Sequence, residues 1–130
     1  MANNANFKAT VVETSREMTA KEKIQIKDTT SAIKLDEATK EAPVDIVLDA
    51  YAVLSIHNEK SDNKDYNNYV FLAENGDKYV TGSESLYRAF SDIIDELVDA
   101  GESVQGQTFR MYRKPSKNYT GKDFLTCTLL

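Results

Sequence analysis

Residues 109–122 read FRMYRKPSKNYTGK and hold Arg110, Arg113, Lys114, Lys117 and Lys122 with no acid among them. Phe109, Tyr112 and Tyr119 are interleaved with these cations. Rings beside cations are what a single-stranded nucleic acid requires of a surface. Bases stack on exposed aromatics at about 1–3 kcal/mol each, and Lys and Arg follow the phosphates. The stretch contrasts with the rest of a 130-residue chain whose net charge is −5. Residues 105–130 carry five bases against Asp123 alone, a net +4, whereas residues 1–104 carry 11 bases and 20 acids, a net −9. Such asymmetry points to a polyanion-binding face on an acidic body. The competing explanation is a solvated hairpin whose lysines protect an edge strand.

Other chemistries find little support. His57 and Cys127 are the only residues of their kinds. An internal disulfide is therefore excluded, as is a zinc site of about four Cys and His ligands within one chain. A Cys-His nucleophile requires that these two residues meet. Asp92, Asp95, Glu96 and Asp99 read as the solvated face of a helix, and no carboxylate pair stands out as acid and base. Asp62, Asp65 and Asn67 lack the spacing and the glycine of an EF-hand loop. The expectation is a non-enzyme without metal or cofactor. No apolar run is long enough to span a bilayer. The start, MANNANFK, has no hydrophobic signal core, so a cytoplasmic location is expected.

The pattern of apolar residues predicts the elements that position the basic stretch. FKATVVET (7–14) is strand-like, and SREMTAKEK (15–23) reads as a turn or loop. IQIKDTTSAIKL (24–35) alternates at both ends, as two short strands or one bent strand would. VDIVLDAYAVLSIHN (44–58) reads as a long strand with a bulge near Asp49. YVFLA (69–73) runs into Asn75-Gly76, a strong hairpin signal. Leu86, Ala89, Phe90, Ile93, Ile94, Leu97 and Val98 follow helical spacing. This predicts a helix over about 82–100, with Thr81 and Glu84 as a capping box and Gly101 as its stop. QTFRMYRK (107–114) and DFLTCTLL (123–130) close the chain as two strands. The expected fold is mainly β with one helix. It is an OB-fold-like five-stranded Greek-key barrel, a single domain over 1–130, with the helix between the third and fourth strands and residues 1–6 frayed.

Strand neighbours point to opposite faces. Ala50, Ala52, Leu54 and Ile56 suit a core, as do Val70 and Leu72, which leaves Tyr51, Val53, Tyr69 and Phe71 on the opposite face. Phe109 and Met111 suit the core, placing Arg110, Tyr112 and Lys114 outside. Leu125, Cys127 and Leu129 suit the core of the last strand. Three strands thus offer aromatics on the face away from the aliphatic one. The alternative for Tyr69 and Phe71 is burial beneath a loop or the helix as a second small core.

The motifs FKATVVET, EKIQIKD, FLAENGDKY, SESLYRAFSDIIDELV and GKDFLTCTLL, in this order, cover most of the chain. In these the sequence resembles the small single-stranded DNA-binding proteins of tailed Bacillus-type phages that replicate by protein priming. The resemblance implies an OB-type fold, residence in the cytoplasm of the infected host, and coating of displaced single strands, without catalysis or metal. It also implies that tyrosines of the sheet face stack bases, with Tyr51, Tyr69 and Tyr79 as the matching positions. The chain ends in FLTCTLL, so a disordered acidic partner-recruiting tail is not expected.

The expected function is sequence-independent single-stranded DNA binding, with the replication polymerase as a further partner to consider. Tyr51, Tyr69, Phe71, Tyr79, Tyr112 and Tyr119 would stack bases. Arg110, Arg113, Lys114, Lys117 and Lys122 would hold phosphates. If all five cations contact phosphates, log K falls with log salt at a slope of about −3.5. The rival is an acidic, phage-encoded protein that inhibits a host protein by mimicking DNA or by anchoring through exposed rings.

Overall fold

The computed structural model describes residues 7–117 and 121–130. The elements in chain order are β1 (Phe7–Thr14), α1 (Ala20–Lys27), β2 (Ile33–Lys34), α2 (Leu35–Ala38) and β3 (Val44–Asn58). Then follow β4 (Asp65–Ala73), β5 (Lys78–Thr81), α3 (Glu84–Asp99), β6 (Thr108–Pro115) and β7 (Asp123–Leu129). The strands form one curled, mixed sheet, a half-barrel, along the path β2-β5-β4-β3-β6-β7, with β1 added to β3. The β2–β5 pair is parallel and the remaining pairs are antiparallel.

The sheet is organised by β3. Its apolar, β-branched run suits a strand covered on both sides. Val44–Val47 pair with β6, and Ala52–Asn58 pair with β1. On the opposite edge, β4 pairs with residues 48–57, with a register shift between Leu48 and Ala50. The extra residue at that shift, Asp49, is the predicted bulge, and bulges bend a strand and increase its twist. One strand can therefore serve two differently directed neighbours on one edge.

Both faces of β3 are buried, and this corrects the expectation that one was open. Tyr51, Val53, Tyr69, Phe71 and Tyr79 lie in the larger core, beneath α3 and against β6 and β7. Ala50, Ala52, Leu54, Ile56, Val70 and Val80 form a smaller core on the other face, covered by Met18 and Ile26. The α3 helix seals the larger core with Leu86, Phe90, Ile94 and Leu97. Phe90 is its centre, 5.0 Å from the Tyr51 ring, 4.9 Å from Phe71 and 5.0 Å from Phe109. The helix ends in a Schellman motif. Gly101 takes φ +72°, its N–H donates to the Val98 carbonyl, and Glu102 N–H donates to the Leu97 carbonyl.

Three further expectations change. The described sheet has seven strands rather than five, and the described residues form three helices rather than one. Residues 20–27 are helical because Thr19 and Glu22 form a reciprocal capping box. Ile24 and Ile26 then fall on different sides of the helix, one exposed and one buried, so their alternation was not that of a strand. Residues 33–35 give only a two-residue strand before Leu35 enters the core as the start of α2. At α3 the N-cap is Ser83, whose hydroxyl accepts from Leu86 N–H, rather than Thr81. The Thr81 hydroxyl instead donates to Asp36 Oδ1 at 2.6 Å.

Replacing Phe90 with Ala should destabilise the fold by about 3–5 kcal/mol, because it empties the point where three rings converge. Urea denaturation followed by circular dichroism measures this. A loss below about 1 kcal/mol would contradict the assigned core.

Candidate nucleic-acid interface

The candidate interface is built on the β6–β7 hairpin. Phe109 and Met111 are fully buried, as predicted. Strand alternation then sends Arg110, Tyr112 and Lys114 to the outer face. The register places Thr128, Thr126 and Phe124 opposite these three residues, so Phe124 shares their face, and it is 39% exposed. On β3, Asp45 pairs with Arg110 and Val47 with Thr108, which extends the same face by a third strand. Val47 is exposed there. Lys114 Nζ lies 5.9 Å from the Tyr112 ring centroid, within cation–π reach. Toward the hairpin end, a shallow cleft of about 420 Å³ lies among Lys114, Ser116, Lys122 and Asp123. Lys117 is exposed beside it.

The five cations are not equivalent. Arg110 forms a bidentate pair with Asp45, from Nε to Oδ1 at 2.7 Å and from Nη2 to Oδ2 at 2.9 Å. The guanidinium holds the Asp45 carboxyl below the usual carboxylate range. Arg113 has the opposite parity and turns away from the outer face. Its Nε donates to the Thr39 hydroxyl at 3.2 Å and its Nη2 to the Asp36 carbonyl at 2.7 Å, while Nη1 pairs with Asp123 at 3.0 Å. Since Asp36 also accepts from Thr81 of β5, Arg113 ties β6 through α2 to β5. It fastens the opening of the half-barrel and is a structural group. The phosphate role expected of Arg113 would require some of these bonds to be given up.

Four predicted stacking rings are corrected. Tyr51, Tyr69, Phe71 and Tyr79 are 8%, 2%, 0% and 8% exposed. They belong to the face that α3 covers, so no base can stack on them in this fold. Tyr69 stacks instead on Tyr87, with centroids 4.1 Å apart and planes 6° off parallel. Its hydroxyl donates to the Glu84 carboxylate at 2.9 Å. Burial, and then that carboxylate, push the Tyr69 phenol up to about 12. The Tyr51 hydroxyl donates to Glu13 at 3.2 Å, and burial pushes its pKa up strongly. Tyr119 lies outside the described residues. Two groups escaped the sequence reading, Phe124 and Asp45. The outward parity of Phe124 follows from the inward set Leu125, Cys127 and Leu129. Asp45 meets Arg110 only through the long-range β3–β6 pairing.

His57 and Cys127 have separate environments. The Cys127 thiol is buried in the larger core, which pushes its pKa up to about 12. His57 sits at the end of β3, with Nδ1 2.7 Å from Asp65 and Nε2 against Glu59. Among the described residues, no group of three or more His, Cys, Asp or Glu is arranged to hold a metal ion, and no helix is long and apolar enough to cross a membrane. No family model, curated protein or solved structure matches the chain.

Two predictions follow from these contacts. Arg113→Ala should cost about 2 kcal/mol of folding stability, since it removes charge-assisted bonds that link three elements. Arg110→Ala, at an exposed ion pair, should change the unfolding midpoint little. Equal effects in urea titrations would contradict the distinction. The imidazole of His57 should titrate above its ordinary value, because Asp65 first and Glu59 second favour the charged form. With a raised folded pKa, the charged ring stabilises the connection between β3 and β4 fully below about pH 6.5, and that contribution is lost as pH rises through the folded value. Carbon-13 NMR titration of the ring should give a raised pKa that falls in Asp65→Asn.

Proposed function

We propose that this protein binds single-stranded DNA without sequence specificity, coating and protecting displaced strands during phage DNA replication in the cytoplasm of an infected bacterium. One observation carries this reading. On the outer face of β6 and β7, a half-buried Tyr112 and an exposed Phe124 lie on the same side as Lys114, at the base of a hairpin end that also bears Lys117 and Lys122. Rings for bases and ammonium groups for phosphates therefore share one surface of an otherwise acidic chain. The path β5-β4-β3-β6-β7, with α3 between β5 and β6, supports an OB-type reading of the half-barrel. OB folds use the face of their second and third strands and the loop between their fourth and fifth. Here Met18 and Ile26 cover the outer surface of β3, β4 and β5, so binding shifts to the hairpin between β6 and β7. The phage setting and the replication role rest on the family resemblance.

Anisotropy of fluorescein-labelled oligo-dT should show binding to the single strand and weaker binding to duplex of equal length. Tyr112→Ala and Phe124→Ala should each weaken it by about 1–3 kcal/mol, whereas Tyr79→Phe should leave it unchanged. The log K against log salt slope should be about −2 if Lys114, Lys117 and Lys122 make the phosphate contacts. Absence of binding at 50 mM salt, or indifference to both ring deletions, would overturn the reading and favour a protein-docking role for the hairpin.

A further inference from the structure

The outer face carries an apparent contradiction. A phosphate-binding surface gains from each arginine it exposes, yet Arg110 is closed by Asp45 in a two-bond fork. The carboxylate occupies the planar donor pair that a phosphate would take, since both oxyanions suit the same guanidinium geometry. Arg110 stands two residues from Tyr112 on one face of β6, so a strand lying on the Tyr112 ring passes beside it. Among the described residues, Asp45 is the only carboxylate hydrogen-bonded to Arg110. The pair is exposed on both sides, with side-chain accessibilities of 43% and 44%. Arg113 differs, because two of its three acceptors, the Thr39 hydroxyl and the Asp36 carbonyl, would be orphaned by any exchange.

We infer that Asp45 is a built-in competitor for phosphate at Arg110, which limits the protein's affinity for single strands and leaves it readily displaced. This inference rests on the proposed DNA-binding reading and adds a regulating residue to the same site. The carboxylate neutralises Arg110 in the free protein, so a strand gains one phosphate contact only by releasing Asp45 into solvent beside it. Removing the carboxylate's charge, with side-chain size preserved, releases the contact.

The test compares wild type, Asp45→Asn and Asp99→Asn by oligo-dT anisotropy over a range of salt concentrations. Both variants remove one negative charge from an exposed carboxylate, and Asp99 belongs to α3 rather than to the hairpin. The inference expects Asp45→Asn to steepen the salt slope by about 0.7 and to bind about fivefold tighter at 0.1 M salt, as one added single-strand phosphate contact requires. Asp99→Asn should change the slope by less than half as much. In proton–nitrogen spectra, the Arg110 Nε–Hε signal should shift on oligo-dT addition in Asp45→Asn and stay in place in wild type. Equal gains in the two variants would reduce the effect to general charge and overturn the inference. An unchanged slope in Asp45→Asn would also overturn it while wild-type binding left the DNA reading intact. Failure of all three proteins to bind would overturn both. Thermal melting of each variant verifies that the fold is retained.

Discussion

Everything in this molecule depends on the bend of β3 at Asp49. This 15-residue strand pairs with β6 at its start and with β1 at its end while β4 runs along its other edge. The bulge lets the sheet curl, and the curl makes a concave side for α3 to fill. The helix provides Leu86, Phe90, Ile94 and Leu97 at helical spacing, each contributing about 1.5–3 kcal/mol through burial. The bend also aims the first four residues of β3 at β6. That brings Asp45 beside Arg110 and makes the outer face three strands wide. The candidate interface is thus a consequence of the same bulge that closes the core.

Alternation in a strand tells which side chains share a face, and it does so reliably here. Tyr51 lies with Val53, Tyr69 with Phe71, and Tyr112 with Arg110 and Lys114, as their parity requires. Parity does not tell what covers the face. For β6 and β7 the outer face is partly exposed, with Thr126 buried within it, and Arg110, Tyr112 and Lys114 lie on the side that their parity predicts. For β3 and β4 both faces are covered, one by α3 and the other by the segment bearing Met18 and Ile26. The aromatic set then goes to the larger core, where wide rings fill the volume beneath a helix. The aliphatic set goes to the shallower core, where Ala50 and Ala52 leave room for the covering segment. The choice between these covers is a long-range event, and no local pattern records it. The missed α1 has a similar cause. Its apolar residues at 24 and 26 mimic strand spacing, and only one of them is buried, so the helix rests on its capping box and on Lys78, which binds the carbonyls of Gln25 and Asp28.

Residue chemistry also sorts the basic stretch. The arginines have planar forks suited to several acceptors at once, and Arg110 binds a carboxylate while Arg113 binds a hydroxyl, a carbonyl and a carboxylate. The lysines stand at and beyond the end of β6, where a flexible stem and a compact charge suit a moving polyanion better than a fixed acceptor. A count of positive charges merges these roles, and a slope computed from five contacts overstates the number of groups that face outward.

The acidic remainder then acquires a physical meaning on the proposed reading. With a Debye length of about 8–10 Å at ordinary ionic strength, the carboxylates of α3 and of the loops repel a nucleic acid only where it comes near them. On the proposed reading, the small hairpin face would be the part of the surface where attraction exceeds that repulsion. On that reading a duplex, rigid and carrying phosphates on two strands, would approach the acidic flanks as it met this face. A single strand is flexible enough to follow the hairpin and expose its bases to Tyr112 and Phe124 while its flanking phosphates turn into solvent. Preference for single strands would then arise from two sources, the stacking rings and an acidic perimeter that a stiff polyanion cannot avoid. The second operates without any contact to a base.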